Sequence, residues 1–492
     1  MAPTSRRSFL RGSAAAVAGL ALGPRRLSGG ERVSAQRQPN IVFVFPDQFR
    51  RQALGFMGED PVLTPNLDRL AAQGTTFTRA CSTRPLCSPA RAMMLTGTYP
   101  QTNGVVTNCY QASAPYGVEL GQSDRCLSDV LHDAGYATGY IGKWHLEAPH
   151  EPYVEPPRQW DGNVWDEFTP PERRHGFEFW YSYGAFDNHL HPHYWTTDAA
   201  RDELVTVDEW SPRHEANVAI EFIRNRGPAR PFALWVSMNP PHPPYNQTPA
   251  EYVEPYADAT PEELLNRPTV DLSLDTEATR LARRSAKGYF GAVTGADDQV
   301  GRILRCLDEE GLAEETIFVF ASDHGDMMGS HDRQGKVAWY EESFAVPFIM
   351  RWPGRIPAGR HDDLLLSLAD VMPSLLSLAG LGDRTPDAVE GTDHSDIMLG
   401  RDGPRPESAL YLDIPVAARH MGARGVRKQR HTFVMRRSPD GEEHVVLHDN
   451  EEDPYQMRNV AGENPGLVAD LRAESERWLR ELDDPWLSDE QT

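Results

Sequence analysis

Cys87 is the residue from which this sequence's chemistry is most directly read. It opens the run Cys87-Ser88-Pro89-Ala90-Arg91-Ala92-Met93-Met94-Leu95-Thr96-Gly97. Proline suits the first turn of a helix and glycine the position just past its end, so the run predicts a helix with Cys87 at or near its N-terminus and Gly97 as its stop. A side chain there faces free backbone N–H donors and the positive end of the helix dipole. Those conditions lower a thiol's pKa and make a nucleophilic thiolate. Arg91, one turn on, can reach back to an anion or orient the group at position 87.

Further reactive side chains stand at the ends of four short apolar runs. Ile41 to Phe45 leads to Asp47 and Gln48; Tyr136 to Ile141 leads to Lys143 and His145; Phe232 to Met238 leads to His242; Thr316 to Ala321 leads to Asp323 and His324. Near-continuous β-branched and aromatic runs suit strands buried on both faces, as in a parallel sheet flanked by helices. Open α/β sheets build their sites beyond the carboxyl ends of the strands. Four such ends carrying reactive groups predict one convergent site in an α/β fold with a large, mostly parallel sheet.

Helical patterns lie between the runs. Thr64 can cap a helix that has Pro65 in its first turn, Leu67, Leu70 and Ala71 on one face and Gly74 as its stop. Cys126 to Ala134 repeats the scheme before Gly135. Residues 151–212 lack regular periodicity and are dense in Trp, Tyr, His and Pro, which reads as a long ordered insertion. Its His189, His191 and His193, with Tyr194 and Trp195, either shape a substrate pocket or belong to a self-packed aromatic loop. After about residue 405, strand-like runs at Ala409 to Leu412, His431 to Arg436 and His444 to Leu447 precede an amphipathic helix from Pro465 to Leu482. This predicts a smaller C-terminal antiparallel sheet with a packed helix, and a division into residues 36–404 and 405–492.

With 49 basic against 72 acidic side chains and a formal net charge of -23, the chain is a poor partner for nucleic acid or an anionic membrane. An anionic substrate would need a local cationic pocket built against that field. Five scattered cysteines, Cys81, Cys87, Cys109, Cys126 and Cys306, form neither a disulfide framework nor a CxxC zinc motif. At the N-terminus, Ser5-Arg6-Arg7-Ser8-Phe9-Leu10-Arg11 precedes a weakly apolar run from Ala14 to Leu22, too short for a stable membrane span. Paired arginines before such a run read as a twin-arginine export signal over residues 1–35, with cleavage after Val33-Ser34-Ala35. The implied destination is periplasmic or extracellular, and the implied partner is the twin-arginine export machinery.

Cys-x-Pro-x-Arg followed by Leu-Thr-Gly resembles the signature of the type I sulfatases. Several other segments resemble that family in its own order: Pro39 to Gln48, Thr64 to Ala71, Gly142-Lys143-Trp144-His145, Ser322 to Asp326, Gly335-Lys336, Tyr340 to Ser343 and Val346-Pro347. The resemblance implies an alkaline-phosphatase-like fold and a sulfuric ester hydrolase. It also implies that a formylglycine-generating enzyme oxidises Cys87 to formylglycine. One divalent cation would be held by Asp47, Asp323, His324 and an oxygen of modified Cys87, with Gln48 standing where many members have a second aspartate. Oxygen-rich donors favour Ca2+ or Mg2+, and the imidazole admits Mn2+. Lys143, Lys336 and Arg91 would neutralise sulfate oxygens, His242 and Lys336 would protonate the leaving alcohol, and His145 would handle the formylglycine hydroxyl.

Formylglycine explains why a cysteine is modified at all. Its hydrate carries two hydroxyls on one carbon: one attacks sulfur and expels the alcohol, then the other loses its proton so that the linkage collapses to aldehyde and sulfate. Serine has no second hydroxyl with which to escape. The resemblance implies a sulfated small molecule or glycan as the substrate. Two other readings share these residues: a formylglycine-dependent phosphonate or phosphate ester hydrolase, and a non-catalytic sulfoglycan-binding protein.

Overall fold

The computed structural model describes residues 38–154, 159–160, 162–227 and 229–488; the expected export signal lies outside them. In chain order the strands are β1 (Asn40–Val44), β2 (Thr75–Phe77), β3 (Ala137–Lys143), the hairpin β4 (Gln159–Trp160) and β5 (Asn163–Val164), β6 (Phe179–Tyr183), β7 (His193–Thr196), β8 (Val205–Thr206), β9 (Phe232–Ser237), β10 (Thr316–Ala321), β11 (Phe348–Arg351) and β12 (Arg360–Asp362). Apart from the hairpin they join in one ten-stranded sheet ordered β12-β2-β11-β10-β1-β9-β3-β6-β7-β8. Its centre, β10-β1-β9-β3-β6, is parallel throughout.

The apolar runs are continuous because both faces of these strands are covered. Along β1, Ile41 and Phe43 enter one core while Val42 and Val44 enter the other. The first core is closed by the helices Cys87–Thr96, Leu127–Asp133 and Val371–Leu378; the second by Pro65–Gln73, Ser211–Asn225 and the 33-residue helix Glu277–Glu309. Register carries the central strands to one level: Val44 pairs with both Phe320 and Val236, and Val236 pairs with Ile141. Asp47, Asp323, Lys143 and the turn that carries His242 therefore leave the sheet along the same edge. Gly142 makes the last step of β3 feasible. Its φ is +94°, and a Cβ there would lie 2.0 Å from the Ser237 carbonyl oxygen.

Three expectations need correction. Thr64 precedes the helix Pro65–Gln73, but its hydroxyl accepts from Gly55 N instead of capping it. The capping acceptor is Asp297 of the helix Glu277–Glu309, at 3.2 Å from Asn66 N and 2.7 Å from Leu67 N. Part of the supposed insertion supplies β6, β7 and β8, which extend the main sheet. At the C-terminus, β13 (Ala409–Asp413), β14 (Gly422–Arg427), β15 (His431–Arg437) and β16 (Glu443–Asp449) form a four-stranded antiparallel sheet, with the helix Pro465–Glu481 packed on it. The sequence reading lacked β14, whose glycines and arginines carry no strand periodicity. Its Arg424 and Arg427 are buried against Asp484 at 2.9 Å and Glu341 at 2.7 Å.

The fold class is as expected: a large mixed, mostly parallel sheet between helices, with a separate small antiparallel sheet. All five cysteines are free and buried. No helix among the described residues is long and apolar enough to cross a membrane.

Candidate active site

Two residues leave the sheet edge with left-handed backbone, Gln48 at φ 67° and His145 at φ 56°. Such conformations are costly outside glycine and persist where the surroundings enforce them. Gln48 N donates to Asp323 Oδ1 (3.1 Å), and its carbonyl accepts from Tyr289 (3.2 Å). At His145 the carbonyl accepts from Ser88 Oγ (2.6 Å), tying this residue to the start of the helix that carries Cys87.

Cys87 begins that helix, which closes on Gly97 at φ 68°. Its Sγ lies 2.9 Å from Lys336 Nζ, 3.4 Å from His324 Nε2, 3.7 Å from Asp47 Oδ1 and 4.0 Å from Lys143 Nζ. Burial and Asp47 oppose ionisation of the thiol. Lys143, Lys336 and His324 outweigh them and hold its pKa well below the usual thiol value. Asp47 is treated similarly: burial pushes its pKa up, while Lys143 (2.7 Å from Oδ2) and Lys336 hold it well below the carboxylate range.

Asp47, Cys87, Asp323 and His324 each offer one donor atom, all buried and within 4.8 Å of one another. His324 Nδ1 is 2.9 Å from the Gly325 carbonyl oxygen, which only accepts, so Nδ1 carries a proton and Nε2 is the nitrogen that faces Cys87 and would serve a metal once deprotonated. Gln48 is oriented by the same logic. Its Nε2 donates to Asp326 Oδ2 (2.6 Å), and its Oε1 accepts from Lys336 Nζ (3.0 Å), so the amide oxygen faces the cluster. Tyr245 OH donates to the same Asp326 oxygen (2.6 Å). Two carboxylates, an imidazole nitrogen and an inward amide oxygen are a donor set suited to a divalent cation.

Arg91 departs from the part expected of it. Nη2 donates to Asp47 Oδ2 and Asp323 Oδ2, both at 3.0 Å, while Nη1 donates to the Lys143 carbonyl and Ser237 Oγ, both at 2.7 Å. Both terminal nitrogens of the guanidinium are engaged behind the carboxylates, and Arg91 is absent from the described lining of the cavity.

The cavity in front of Cys87 has a volume of about 620 Å³, and Lys143, His145, His242 and Lys336 line it. His145 Nε2 is 3.1 Å from the Cys109 carbonyl oxygen, which fixes the proton on Nε2 and leaves Nδ1 as an acceptor. Burial lowers its pKa, keeping the ring neutral. His242 has the opposite setting. Burial, Lys143 and Lys336 disfavour its charged form, yet Asp187 and Asp47 raise its pKa above the ordinary value.

Asp187 is a site residue that the sequence reading missed. It lies in the segment between β6 and β7, lines the cavity, and places Oδ1 3.3 Å from His242 Nδ1 and 3.0 Å from Asn239 Nδ2. Asn239 in turn accepts from Lys143 Nζ (3.2 Å). The histidines named from that segment lie elsewhere. His193 is buried against Asp166 (2.7 Å), His191 pairs with Asp208 at the surface (2.7 Å), and His189 supports the His242 carbonyl (2.9 Å) from behind. Tyr194 and Trp195 belong to a local aromatic core. The segment gives the cavity Trp165, Ala185 and Asp187 instead.

Known proteins match this arrangement over most of the chain. The chain is 39% identical to the endo-4-O-sulfatase of Bacteroides thetaiotaomicron, over 92% of this chain and 94% of that protein. A putative sulfatase structure from Bacteroides fragilis superposes with a TM-score of 0.87 at 42% identity, covering 94% of this chain and 98% of the other. A second structure, from work on the metabolism of multiple glycosaminoglycans by Bacteroides thetaiotaomicron, gives 0.84 at 38% identity, covering 92% and 98%. A family model for the C-terminal part of N-sulphoglucosamine sulphohydrolase matches residues 329–483. The sulfatase family model itself matches residues 39–381, from the start of β1 through the first core's closing helix, and on that breadth of agreement this chain belongs to the sulfatases, hydrolases of sulfuric esters.

Proposed function

We propose that the chain removes a sulfate ester from a sulfated glycan, with residue 87 as a formylglycine hydrate and one calcium ion held by Asp47, Gln48, Asp323, His324 and an oxygen on residue 87. The family implies a divalent cation and a formylglycine. The observation that carries the residue assignment is the position of Cys87 Sγ, within 4.0 Å of Lys336, His324, Asp47 and Lys143 together. Calcium is the choice that best suits a set dominated by hard oxygen donors. When bound, the cation supplies the charge that promotes ionisation of the residue-87 hydroxyl and offsets sulfate oxygens.

The remaining steps fall to this chain's side chains. Lys143 and Lys336 neutralise the sulfate oxygens that face the cavity. His145 Nδ1, already an acceptor, takes the proton from the residue-87 hydroxyl. His242, kept protonated beside Asp187, gives its proton to the departing alcohol, with Lys336 close enough to share the task. Arg91 keeps Asp47 and Asp323 at the spacing that a shared cation needs. The glycan assignment rests on likeness to an endo-4-O-sulfatase and to a structure from glycosaminoglycan metabolism.

Residues 1–35 serve as a twin-arginine signal in this proposal, delivering a folded enzyme to the periplasm or beyond after the formylglycine-generating enzyme has acted; residues 36–404 and 405–492 are its catalytic domain and small subdomain. The test is peptide mass spectrometry across Cys87, joined to hydrolysis of matched sulfate and phosphonate esters. Aldehyde at residue 87 with sulfate preferred is the expected result. An unmodified thiol in a fully active enzyme, or preference for the phosphonate, overturns the proposal.

A further inference from the structure

One cation beside the catalytic cavity is given nothing to do by the chemistry above. Arg284 lies on the helix Glu277–Glu309, is exposed, and lines the same cavity as Cys87 and Lys336. Its basic neighbours on that helix are occupied: Arg280 pairs with Asp275 (3.0 Å), Arg283 donates to the Leu272 carbonyl, and Lys287 donates to the Ala257 carbonyl (2.5 Å). Arg284 has no hydrogen bond or ion pair among the described residues. In a chain with 72 acidic against 49 basic side chains, this guanidinium lines the catalytic cavity with no carboxylate of its own among the described residues. Among the described residues the only carboxylate lining that cavity is Asp187, whose Oδ1 is committed to His242 and Asn239.

The placement of Arg284 gives its ligand a direction. A second cavity, of about 710 Å³, adjoins the first and shares Tyr245, Asn246 and Arg284 with it. Arg284 thus borders both cavities; the far one is also lined by Lys287 and by Glu251 and Glu254, Glu251 being paired with Arg213, so Arg284 is the cation nearest the catalytic side of that junction. A guanidinium fork there matches a carboxylate or sulfate in bidentate fashion.

Building on the sulfatase reading of the site, we propose that Arg284 forms an anion subsite for a second negative group of the substrate, a carboxylate or sulfate on the sugar next to the one being desulfated. The preferred substrate is then an acidic oligosaccharide longer than one sugar. The subsite acts through binding and holds no part in bond cleavage.

The experiment compares wild type with Arg284→Gln and Arg284→Lys on four probes: nitrophenyl sulfate, a monosulfated uronate-containing glycosaminoglycan oligosaccharide, its carboxyl-reduced form, and a carboxyl-reduced form with a second sulfate on the adjoining sugar. The ratio of kcat/KM on an acidic oligosaccharide to that on nitrophenyl sulfate should fall about 10-fold or more in Arg284→Gln, chiefly through KM, as expected for loss of a charge-assisted hydrogen bond. Arg284→Lys should restore part of it. Loss confined to the uronate probe identifies a carboxylate as the ligand, and loss confined to the disulfated probe identifies sulfate. An unchanged ratio, or a wild type that hydrolyses nitrophenyl sulfate without preferring acidic oligosaccharides to the neutralised one, overturns the subsite while leaving the sulfatase reading intact. A wild type carrying the aldehyde that hydrolyses none of the four removes both.

Discussion

Asp187 Oδ1 lies 3.3 Å from His242 Nδ1, and the same oxygen accepts from Asn239, which also receives Lys143 Nζ. One carboxylate between β6 and β7 therefore connects His242, the proposed acid for the leaving alcohol, with Lys143, the proposed contact of the sulfate. Burial and the two lysines push the His242 pKa down, and Asp187 and Asp47 more than compensate.

The first prediction follows from that balance. An acid catalyst works only while protonated, so turnover should fall as pH rises through the His242 pKa. Asp187→Asn keeps an acceptor for Asn239 and removes the charge, which lowers that pKa. The alkaline limb of kcat should move to lower pH by about one unit, with turnover above it reduced about 10-fold on an alkyl sulfate. Nitrophenyl sulfate, whose leaving group needs little proton assistance, should respond far less. An unmoved limb on the alkyl ester would contradict the role.

Asp187 also shows where the sequence stopped being informative. The strand ends that carry Asp47, Lys143, His242 and Asp323 are legible because continuous apolar runs and one-edge chemistry are local patterns. Asp187 sits among aromatic residues with no period, and its partners Asn239 and His242 are 52 and 55 positions away. The cap supplied by Asp297 to Leu67 spans 230 positions, and the burial of Arg424 depends on Asp484, 60 positions on. Arg91 was legible as a residue near the site, but the two carboxylates to which it donates meet only in the fold.

A second prediction concerns the nucleophile. Cys87→Ser supplies one hydroxyl to the same surroundings, where Lys336 and Lys143 still face it. It should release about one equivalent of alcohol per enzyme and then stop, because no second hydroxyl is present to free the sulfate. Cys87→Ala should show no burst at all. Continued turnover by Cys87→Ser, measured by alcohol release and by the mass of the protein, would rule out the two-hydroxyl chemistry.

A third prediction uses the fixed tautomer of His145. Its Nε2–H is committed to the Cys109 carbonyl, so only Nδ1 is available to the residue-87 hydroxyl. His145→Asn should lower kcat about 10²-fold with little change in KM, the pattern of a lost proton acceptor. Ser88→Ala removes the hydroxyl that holds the His145 carbonyl and accepts from Cys109 N, so it should give a smaller loss in the same direction. A change confined to KM would place His145 in substrate binding instead.

The last prediction reaches the cation through the amide that faces it. The Gln48 oxygen is held inward from both ends of the amide: Nε2 donates to Asp326 (2.6 Å) and, at 3.3 Å, to the Tyr245 hydroxyl that itself donates to Asp326, while Lys336 donates to Oε1. Asp326→Asn replaces an obligatory acceptor with a group that can donate or accept, so the direction of the Gln48 amide is left to the Lys336 donor and the longer Tyr245 contact. Groups that orient a metal ligand typically matter 10–100-fold in affinity, so calcium binding measured by competition with a chromogenic chelator should weaken by about 10-fold or more. The thermal shift should agree: the proposed calcium ion should raise Tm of the wild type by mass action on the folded state, and the rise at a given calcium concentration should shrink in Asp326→Asn. Tyr245→Phe keeps the ring against Tyr289 and removes one donor to Asp326 together with the longer of the two acceptors of Gln48 Nε2. With the bond from Gln48 to Asp326 intact, it should fall between the two. Equal calcium affinity in all three proteins would mean that the Gln48 oxygen takes no part in holding the ion.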